Sequence, residues 1–346
     1  MAKHWYHKKT KTIDSEAITG ALVRQAVLTK PAGSLGRLEE IGVNFSGWQS
    51  AEKPSLDKVQ IAVFAADHGI AEAGVSAFPQ QVTVEMVKNF ARGGAAISVL
   101  AKQLGARFSI INMGTAFPCE ESSGLISSPV AAGTHNFAKQ AAMSSAQLEQ
   151  ALLRGSEAVL ADSQIFVGGE MGIANTTSAA ALGCAYLGLD AAQLTGRGTG
   201  VDDVVLRHKM KLIDSALDLH KEVATTAFEK LRCFGGFEIA ALAGAYIACA
   251  QKGVPVLVDG FISTAAAVAA VSLNSGVRDW MLFSHYSQEF GHRHLLDFLD
   301  ASPLLDFQMR LGEGSGAALC VPLLQSACLL QSEMATFEEA AVRVSR

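Results

Sequence analysis

Two glutamates in this chain are each framed by glycine, Glu170 in "GGEMG" and Glu313 in "LGEGSGA". Glycine neighbours let a ligand approach a carboxylate without a side-chain barrier. Two carboxylates near an anion-binding surface suit reactions that pass through an oxocarbenium-like sugar, because one can act as a base while the other supports positive charge on the ribose. Helix caps or buried ion-pair partners are the alternative for both. We therefore treat Glu170 and Glu313 as candidate catalytic residues.

Glycine-rich segments predict an anion site near Glu170. "GGEMGIANTTSAA" follows a probable strand and opens a probable helix, whose first N–H groups attract anions. Asn175 and Thr176 are candidate caps or phosphate donors. "GRGTGVDD" adds a second loop, and Lys209 on the next predicted helix could reach a phosphate. An ordinary strand–helix turn and a surface lysine remain the alternatives.

Several nucleotide-binding signatures are missing or incomplete. The chain has no G-x-x-x-x-G-K-[ST], which excludes a P-loop. "GEGSGA" formally fits G-x-G-x-x-A, but it lies outside any obvious βαβ unit and lacks an acidic ribose partner. Phosphoribosyl pyrophosphate would need adjacent acidic residues after a strand to hold magnesium, and "VPVLVDGF" offers only Asp259. Dinucleotide and pyrophosphate chemistry are therefore disfavoured.

Histidines cluster in "HYSQEFGHRH", which places His285, His292 and His294 close together in sequence. No H-E-x-x-H or similar helical ligand spacing occurs, so hydrogen-bonding histidines are favoured over a metal site. His68 and His135 are predicted to be polar groups at or near the edge of the sheet, without an assigned role.

Composition excludes several classes of protein. The 346 residues are 49% hydrophobic and 18% charged, which predicts a folded chain with a sizeable core. A net charge of −5 argues against nucleic-acid binding, and the basic segment Lys3 to Lys11 is expected to be a solvated terminus.

Cysteines and apolar runs indicate a cytoplasmic protein without a membrane span. The six cysteines contain no C-x-x-C pair and lie in apolar surroundings, which favours buried reduced thiols. Residues 171–189 and 261–277 approach membrane-spanning length but carry Asn, Ser, Thr and Gly, so we expect buried segments of a water-exposed fold.

Short apolar runs alternate with helical patterns, which predicts an α/β fold with a mainly parallel, Rossmann-like sheet covered by helices. Asp67, Glu170, Asp259 and the segment 284–287 follow these runs, so they should converge at the carboxyl edge of the sheet. The predicted strands are 59–67, 106–114, 163–170, 254–260 and 279–287, and the predicted helices are 83–104, 145–161, 204–226 and 237–252.

The sequence predicts helices at both ends of the chain. Residues 1–50 and about 305–346 are expected to pack together as a small helical domain. Residues of about 51–304 would then form a large parallel α/β domain that carries most of the active site.

Nine motifs occur in a fixed order along the chain, and together they indicate a family resemblance that no single motif would establish. They are "KPAGSLGRLE", "AADHGIAEAGVSAFPQQVT", "NFARGGAAISVLA", "GEMGIANTTSAAAL", "GRGTGVDD", "GGFEIAALAGA", "VDGFI", "SHYSQEFGH" and "LGEGSGAAL". As an ordered set they resemble the nicotinate-nucleotide–dimethylbenzimidazole phosphoribosyltransferases, the CobT family of cobalamin biosynthesis. The match covers nearly the whole chain from about Lys30.

The resemblance implies a reaction, a fold and an assembly. Ribose 5-phosphate passes from nicotinate mononucleotide to 5,6-dimethylbenzimidazole, which gives α-ribazole 5′-phosphate and nicotinate with inversion at the anomeric carbon. It implies no metal or organic cofactor, a large parallel-sheet domain with a small helical domain, and a homodimer.

The resemblance also implies roles for individual residues. The catalytic base of the family falls on Glu313, and Asp259 would orient the site. The departure from the family is Glu85, where members commonly carry Gln in "VT-x-Q-M", so base specificity could differ. The mononucleotide site would comprise Glu170, Gly172, Lys209, Ser287, Gly312, Gly314 and Gly316, and the benzimidazole pocket Ser76 and Phe78.

Two rival functions fit parts of the pattern. A nucleotide glycosidase would use water in place of the aromatic base. A non-catalytic sensor would bind nicotinate mononucleotide or a cobamide precursor, and it would not need both glycine-framed glutamates.

Overall fold

A single sheet of six strands organises the molecule. The computed structural model describes residues 4–198 and 200–342. The strands are β1 (Val59–Ala66), β2 (Arg107–Gly114), β3 (Leu125–Ser127), β4 (Ile165–Met171), β5 (Val256–Val258) and β6 (Met281–Phe283). Their order across the sheet is β3-β2-β1-β4-β5-β6, and every neighbouring pair is parallel. The predicted parallel α/β fold is therefore confirmed.

Thirteen α-helices surround this sheet within the described residues. They are α1 (Ser15–Val27), α2 (Arg37–Gln49), α3 (Gln81–Arg92), α4 (Ala96–Gln103), α5 (Ser145–Glu157), α6 (Asn175–Leu187), α7 (Ala191–Leu194), α8 (Asp203–His220), α9 (Ala227–Phe234), α10 (Phe237–Lys252), α11 (Phe261–Leu273), α12 (His292–Phe298) and α13 (Ser315–Glu333).

The strand order places a crevice at the carboxyl edge of the sheet. Chain connections run outward in one direction from β1 through β2 to β3, and in the other from β4 through β5 to β6. Loops therefore separate at the junction of β1 and β4, which is where parallel sheets bind ligands. Glu170 is the next-to-last residue of β4 at this junction, so the sheet itself brings the first candidate glutamate to the crevice.

Small residues allow close packing of the longest buried helix. All fourteen residues from Phe237 to Ala250 of α10 are buried. A Cβ added to Gly155 of α5 would lie 1.8 Å from the carbonyl oxygen of Ala241, and one added to Gly244 would lie 2.0 Å from that of Leu152. The two helices therefore approach each other at backbone distance, as the abundance of alanine and glycine indicated.

Most predicted elements exist, with two differences. The helix expected over 83–104 is broken into α3 and α4, because Gly93 adopts a left-handed φ of 81° that ends α3. The edge strand β3 has only three residues and carries no long apolar run, so sequence periodicity did not indicate it. The other predicted helices and strands are present and agree with the structure within four residues at each end, except that the helix expected over 204–226 ends at His220.

Helices from both ends of the chain pack together. Arg24 of α1 donates hydrogen bonds to the carbonyl oxygens of Gln331 at 2.7 Å and Met334 at 2.9 Å. The Gln25 amide bonds to the Gln331 side chain at 2.6 Å. α2 also packs against α13. These contacts agree with the expected association of the two ends, while the division into two domains stays a prediction.

The basic N-terminal segment differs from the expectation of a solvated terminus. Tyr6 is buried, the Lys11 N–H donates to Ala250 of α10 at 2.9 Å, and the His7 ring bonds to the carbonyl of Leu273 in α11 at 3.3 Å. Its aromatic residues supply the apolar surface that the lysine-rich composition obscured. The described part of this segment therefore lies against the large α/β unit.

Only α13 is, by length and composition, apolar enough to cross a membrane among the described residues. More than half of its apolar stretch is buried inside the structure, as in a core helix. The two runs that the sequence singled out contain α6 and α11, which are largely buried as expected.

Candidate functional site

A cavity of about 280 Å³ lies at the carboxyl edge of the sheet, between the ends of β4, β5 and β6 and the segment before α13. Five of the predicted site residues do not contact it: Ser76, Glu85, Lys209, Gly314 and Gly316. Seven do: Phe78, Glu170, Gly172, Asp259, Ser287, Gly312 and Glu313. The structure therefore brings the two glycine-framed glutamates, which are far apart in sequence, into one cavity.

The Glu313 loop has an unusual backbone. Gly312, Glu313 and Gly314 have φ values of 84°, 64° and 87°, all in the left-handed region. This conformation costs a residue with a Cβ about 1–2 kcal/mol, so Glu313 is held in a strained state while its glycine neighbours tolerate the turn. Such strain is found where surrounding contacts over-determine the backbone, and it often marks a functional site.

Asp259 supplies the contacts that hold this turn. Its carboxylate accepts the N–H of Gly314 at 3.1 Å and the N–H of Ala317 at 2.9 Å, and thereby caps the start of α13. These two N–H groups of the Glu313 segment are thus paired within the protein. Burial raises the pKa of Asp259, while His285 lowers it in part.

The Glu313 carboxyl lies against the start of a second helix. Its side chain is 6% exposed, and the N–H of Ile97 in the first turn of α4 bonds to the carboxylate. Burial, aided by the charge of Asp259, raises the pKa of Glu313 to about 7. Among the residues that the structure describes, Oε2 of Glu313 has no hydrogen-bond partner. One carboxyl oxygen of Glu313 is thus buried without a protein partner, in a residue that lines the cavity.

Glu170 connects the sheet to the Glu313 loop. Its Oε1 accepts the N–H of Glu313 at 3.4 Å, and its Oε2 bonds to the Asn175 amide. Burial first, and the charges of Glu238 and Asp259 next, raise the pKa of Glu170 well above its usual range. Burial and the neighbouring carboxylates therefore favour the neutral form of Glu170 more than water does.

Lys209 is buried one layer behind the cavity wall. Its side chain is 1% exposed, and its Nζ donates to the carbonyl of Gly196 at 3.2 Å and lies 3.4 Å from the Thr176 hydroxyl. Burial lowers the pKa of Lys209 to about 8, although Glu289 opposes this shift. The alternative of a surface lysine is therefore wrong. Thr176, which lies beside Nζ of Lys209, and Glu289, whose charge affects the pKa of Lys209, both line the cavity. Lys209 therefore contacts residues of the cavity wall and not the cavity itself.

His292 orients the backbone at Ser287. Its Nδ1 accepts the Ser287 N–H at 2.9 Å, and its Nε2 bonds to the Thr264 hydroxyl at 2.9 Å. Burial lowers the pKa of His292 to about 3, so the ring is neutral. Both nitrogens bond to protein groups, in agreement with the expected hydrogen-bonding role for this histidine.

The predicted benzimidazole residues are only partly at the cavity. Phe78 lines it with half of its side chain exposed, and the Ser76 hydroxyl accepts the Phe78 N–H at 3.2 Å from outside the wall. Glu85 is exposed on α3, because the neighbouring Val84 and Val87 occupy the inward face of that helix. The structure therefore does not place Glu85 in the cavity wall.

Two of the predicted mononucleotide glycines serve packing. A Cβ on Gly316 would lie 2.2 Å from Nδ1 of His285, and one on Gly314 would lie 3.3 Å from the Cα of Gly169. Lack of a side chain at these positions lets α13 approach the sheet and the histidine. Neither glycine lines the cavity.

Sequence reasoning missed a buried polar group behind the site. The His68 ring bonds to Ser178 at 2.8 Å and to Glu238 at 2.7 Å, and all three side chains are fully buried. The ring also lies against Gly172, where an added Cβ would be 3.3 Å from it. The position of His68 after a predicted strand was the available signal. His135, by contrast, is exposed and does not line the cavity.

Arg310 is a second omission, and the one positively charged side chain other than histidine among the described cavity residues. It lines the cavity and donates to the carbonyl of Gly198 at 3.0 Å. Its place two residues before the glycine-framed Glu313 segment was the signal that could have revealed it.

Comparisons with known proteins agree on one family. A family model described as Phosphoribosyltransferase matches residues 10–342. The nicotinate-nucleotide–dimethylbenzimidazole phosphoribosyltransferases of Xanthomonas oryzae pv. oryzae (strain PXO99A) and Pseudomonas aeruginosa (strain LESB58) are 54% and 52% identical, each over 99% of both chains.

A solved structure shares the whole fold. The crystal structure of CobT from Thermus thermophilus superposes with a TM-score of 0.91 at 40% identity, over 95% of this chain and 100% of that one. With more than half of the residues identical to curated relatives along its full length, this chain belongs to the nicotinate-nucleotide–dimethylbenzimidazole phosphoribosyltransferase family.

Proposed function

We propose that this protein transfers ribose 5-phosphate from nicotinate mononucleotide to 5,6-dimethylbenzimidazole, giving α-ribazole 5′-phosphate and nicotinate for the nucleotide loop of cobalamin. The full-length relatives carry this activity in their names. The structural observation that carries the proposal is the buried Glu313, which lines a cavity at the carboxyl edge of the sheet and whose Oε2 has no hydrogen-bond partner among the described residues.

The chemistry requires a base and little acid. The glycosidic nitrogen of nicotinate mononucleotide carries a formal positive charge, so the bond to the anomeric carbon breaks with its electron pair neutralising that nitrogen. One benzimidazole nitrogen forms the new bond to the anomeric carbon, and the proton on the other nitrogen must leave. Glu313 accepts that proton, which balances the transfer without a metal or organic cofactor.

Glu313 is suited to this task by its surroundings. A base works best when its pKa lies near the working pH, and burial places the pKa of Glu313 at about 7. The Ile97 N–H and the capped turn hold the carboxyl in place, while Oε2 has no hydrogen-bond partner among the described residues. A preorganised acceptor of this kind needs little rearrangement during the reaction.

Glu170 is assigned a revised role. Burial disfavours a negative charge on Glu170, and its Oε1 accepts the N–H of Glu313 from the end of β4. We assign it to positioning the catalytic turn and to hydrogen-bonding the mononucleotide. Asp259 orients the same turn through its two N–H contacts.

The phosphate of the mononucleotide is assigned to the start of α6 and its neighbours. Gly172 and Thr176 line the cavity there, with Lys209 behind Thr176 and Arg310 at the same cavity. The helix start and the two cations favour an anion at this end. Ser287 and Gly312 line the remaining wall, and Gly314 and Gly316 contribute through packing.

The aromatic base is assigned to the open end of the cavity near Phe78, with Ser76 supporting the Phe78 backbone. Half-exposed aromatic side chains supply the apolar surface that a benzimidazole ring would cover. Because Glu85 is exposed on α3, its influence on the choice of base would have to be indirect.

Replacement of Glu313 by Gln tests the mechanism. The variant should fold, because it removes a charge that burial disfavours. Nicotinate release in the presence of dimethylbenzimidazole should fall about 100- to 10,000-fold, the usual contribution of a good base. Glu157→Gln, an exposed glutamate on α5, serves as the matched control. Near wild-type turnover of Glu313→Gln would remove the base assignment.

The same assay separates the rival functions. Rapid nicotinate release without any aromatic acceptor would indicate a glycosidase. Binding of nicotinate mononucleotide without turnover under any condition would indicate a sensor. A transferase requires both substrates and yields α-ribazole 5′-phosphate.

We propose a homodimer as the assembled form. An apolar stripe on α13 faces outward at Leu319 and Leu323, and α1 exposes Leu22 and Val23 close to the same helical group. A monomer would leave this surface in water, whereas a second copy would cover it. We also propose that the helices from both chain ends, which pack together, form the small domain of residues 1–50 and about 305–346.

A cytoplasmic location is proposed from the thiols. All six cysteines are free, five are buried and Cys119 is partly buried. Free buried thiols are typical of proteins in a reducing compartment.

A further inference from the structure

His285 lines the cavity but has no assigned role in the transfer. It follows β6 and Ser284, it is almost fully buried, and it shares the cavity wall with Asp259, Ser287 and Glu313. A histidine enclosed at the centre of a substrate cavity has two nitrogens that need partners. The partners of those nitrogens therefore indicate what the ring does.

The fold makes room for this ring. A Cβ on Gly316 would lie 2.2 Å from both Nδ1 and Cε1 of His285, and one on Gly260 would lie 3.6 Å from Cε1 and Nε2. The imidazole thus sits between two glycines, on the first turn of α13 and just before α11. Because Gly316 stands three residues after Glu313, the ring and the catalytic turn share one backbone support.

Only one edge of the ring is engaged by the protein. Nδ1 lies 2.9 Å from the Ser284 hydroxyl and 3.9 Å from Oδ1 of Asp259. Within residues 4–198 and 200–342, no group is hydrogen-bonded to Nε2. The Ser284 contact fixes the ring plane, so the Nε2 edge is presented to the cavity in one orientation.

We infer that Nε2 of His285 hydrogen-bonds to a ribose hydroxyl of nicotinate mononucleotide and so holds the sugar during transfer. This inference rests on the proposed function. The aromatic acceptor leaves no atom for the histidine, because one of its nitrogens attacks and the other gives its proton to Glu313.

Charge selects the hydroxyl among the groups of the donor. The phosphate and the nicotinate carboxylate are anions, and at Nε2 either would enter a cavity that the carboxyl-bearing Asp259 and Glu313 also line. A neutral hydroxyl carries no such repulsion and can accept from, or donate to, the ring. Hydrogen bonds to sugar hydroxyls also strengthen as an oxocarbenium-like state develops.

Two conservative variants separate binding from structure. The Gln amide nitrogen can reach the position of Nε2, whereas the Asn amide lies near Nδ1. If Nε2 holds the sugar, His285→Gln should keep more activity than His285→Asn. A purely structural role through Ser284 would give the reverse order, because only Asn can keep that contact.

We expect kcat/KM to fall about 10-fold in His285→Asn, the usual effect of one lost hydrogen bond to a substrate, and to fall less in His285→Gln. Donors that lack the 2′- or the 3′-hydroxyl should then reveal the contact. With one of these deoxy donors, kcat/KM of His285→Asn should be close to kcat/KM of the wild type with the same donor. The substitution and the missing hydroxyl would then remove the same hydrogen bond, so their effects would not add. His294→Asn, on the outside of the cavity, is the control.

Three outcomes would overturn the inference. One is an Asn variant as active as the wild type or better than the Gln variant. Another is a kcat/KM of His285→Asn that is still about 10-fold below that of the wild type with each of the two deoxy donors. The third is a loss that vanishes when nicotinamide mononucleotide replaces the acid, since that would assign Nε2 to the carboxylate. Absence of turnover in the wild type would instead refute the proposed function.

Discussion

At the scale of single residues, the ionisation of the cavity carboxyls depends on burial. Glu170, Asp259 and Glu313 have few charged partners and little water, so each is easier to protonate than in solution. The local sequence around Glu170 and Glu313 is similar, with glycine within two residues on both sides. Their different assignments, positioning and base, therefore come from their surroundings.

The raised pKa of Glu313 predicts the pH dependence of catalysis. Glu313 acts as a base only when charged, and with a pKa of about 7 it is protonated below that pH. We expect kcat/KM to rise about tenfold per pH unit below pH 7 and to level off above it. Steady-state kinetics of wild type and Glu313→Gln give the comparison. Identical profiles for the two proteins would contradict the prediction.

The raised pKa of Glu170, caused mainly by burial, predicts unequal effects of two substitutions. Glu170→Gln keeps a neutral hydrogen-bonding group, so activity should stay within about tenfold of the wild type. Glu170→Ala leaves the Glu313 turn and Asn175 without their partner, and kcat should fall further, by about 100-fold. Turnover assays on both variants at neutral pH check this. Equal, severe losses would show that a charged carboxylate is required.

At the scale of elements, segments distant in sequence build the catalytic turn. β4 supplies Gly169 and Glu170, β5 is followed by Asp259, and α13 begins at the turn that carries Glu313. Glycines are what allow these backbones to touch. A substitution at such a glycine should therefore displace the Glu313 carboxylate without changing its chemical identity.

Gly169→Ala tests this close approach. The added Cβ would lie 2.1 Å from the carbonyl oxygen of Glu313, so the turn must shift. A displacement of about 1 Å can cost about 100-fold in rate, and we expect a loss of that order in kcat. Gly20→Ala in α1, where the nearest atoms would be 3.8 Å away, is the control. Unchanged kcat in Gly169→Ala would show that the turn tolerates movement.

At the scale of the whole molecule, the exposed stripe on α13 predicts how subunits associate. Leu323→Glu places a charge in the proposed interface, where burial without a partner is costly. Analytical ultracentrifugation should show a dimer for the wild type and a monomer for the variant. Leu153→Glu, an exposed position on α5, should leave the dimer intact. A monomeric wild type would reject the homodimer.

Much of the architecture was predictable because its signals are local. Continuous apolar runs predicted five of the six strands, and their alternation with helices predicted the parallel sheet. Glycine neighbours marked Glu170 and Glu313 as candidate catalytic residues, but only the fold shows that both line one cavity. The exceptions are also physical: β3 is too short for a pattern, and Gly93 ends α3 by a backbone angle.

The fold class, the family motifs and the candidate roles of Glu170 and Glu313 followed from the sequence, because residue type and spacing carry that information. Tertiary structure alone decided that Asp259 caps α13, that Lys209 is buried behind Thr176, and that Glu85 is exposed. Ionisation, capping and burial arise from contacts between segments that are far apart along the chain. No local pattern encodes those contacts, so only the folded chain reveals them.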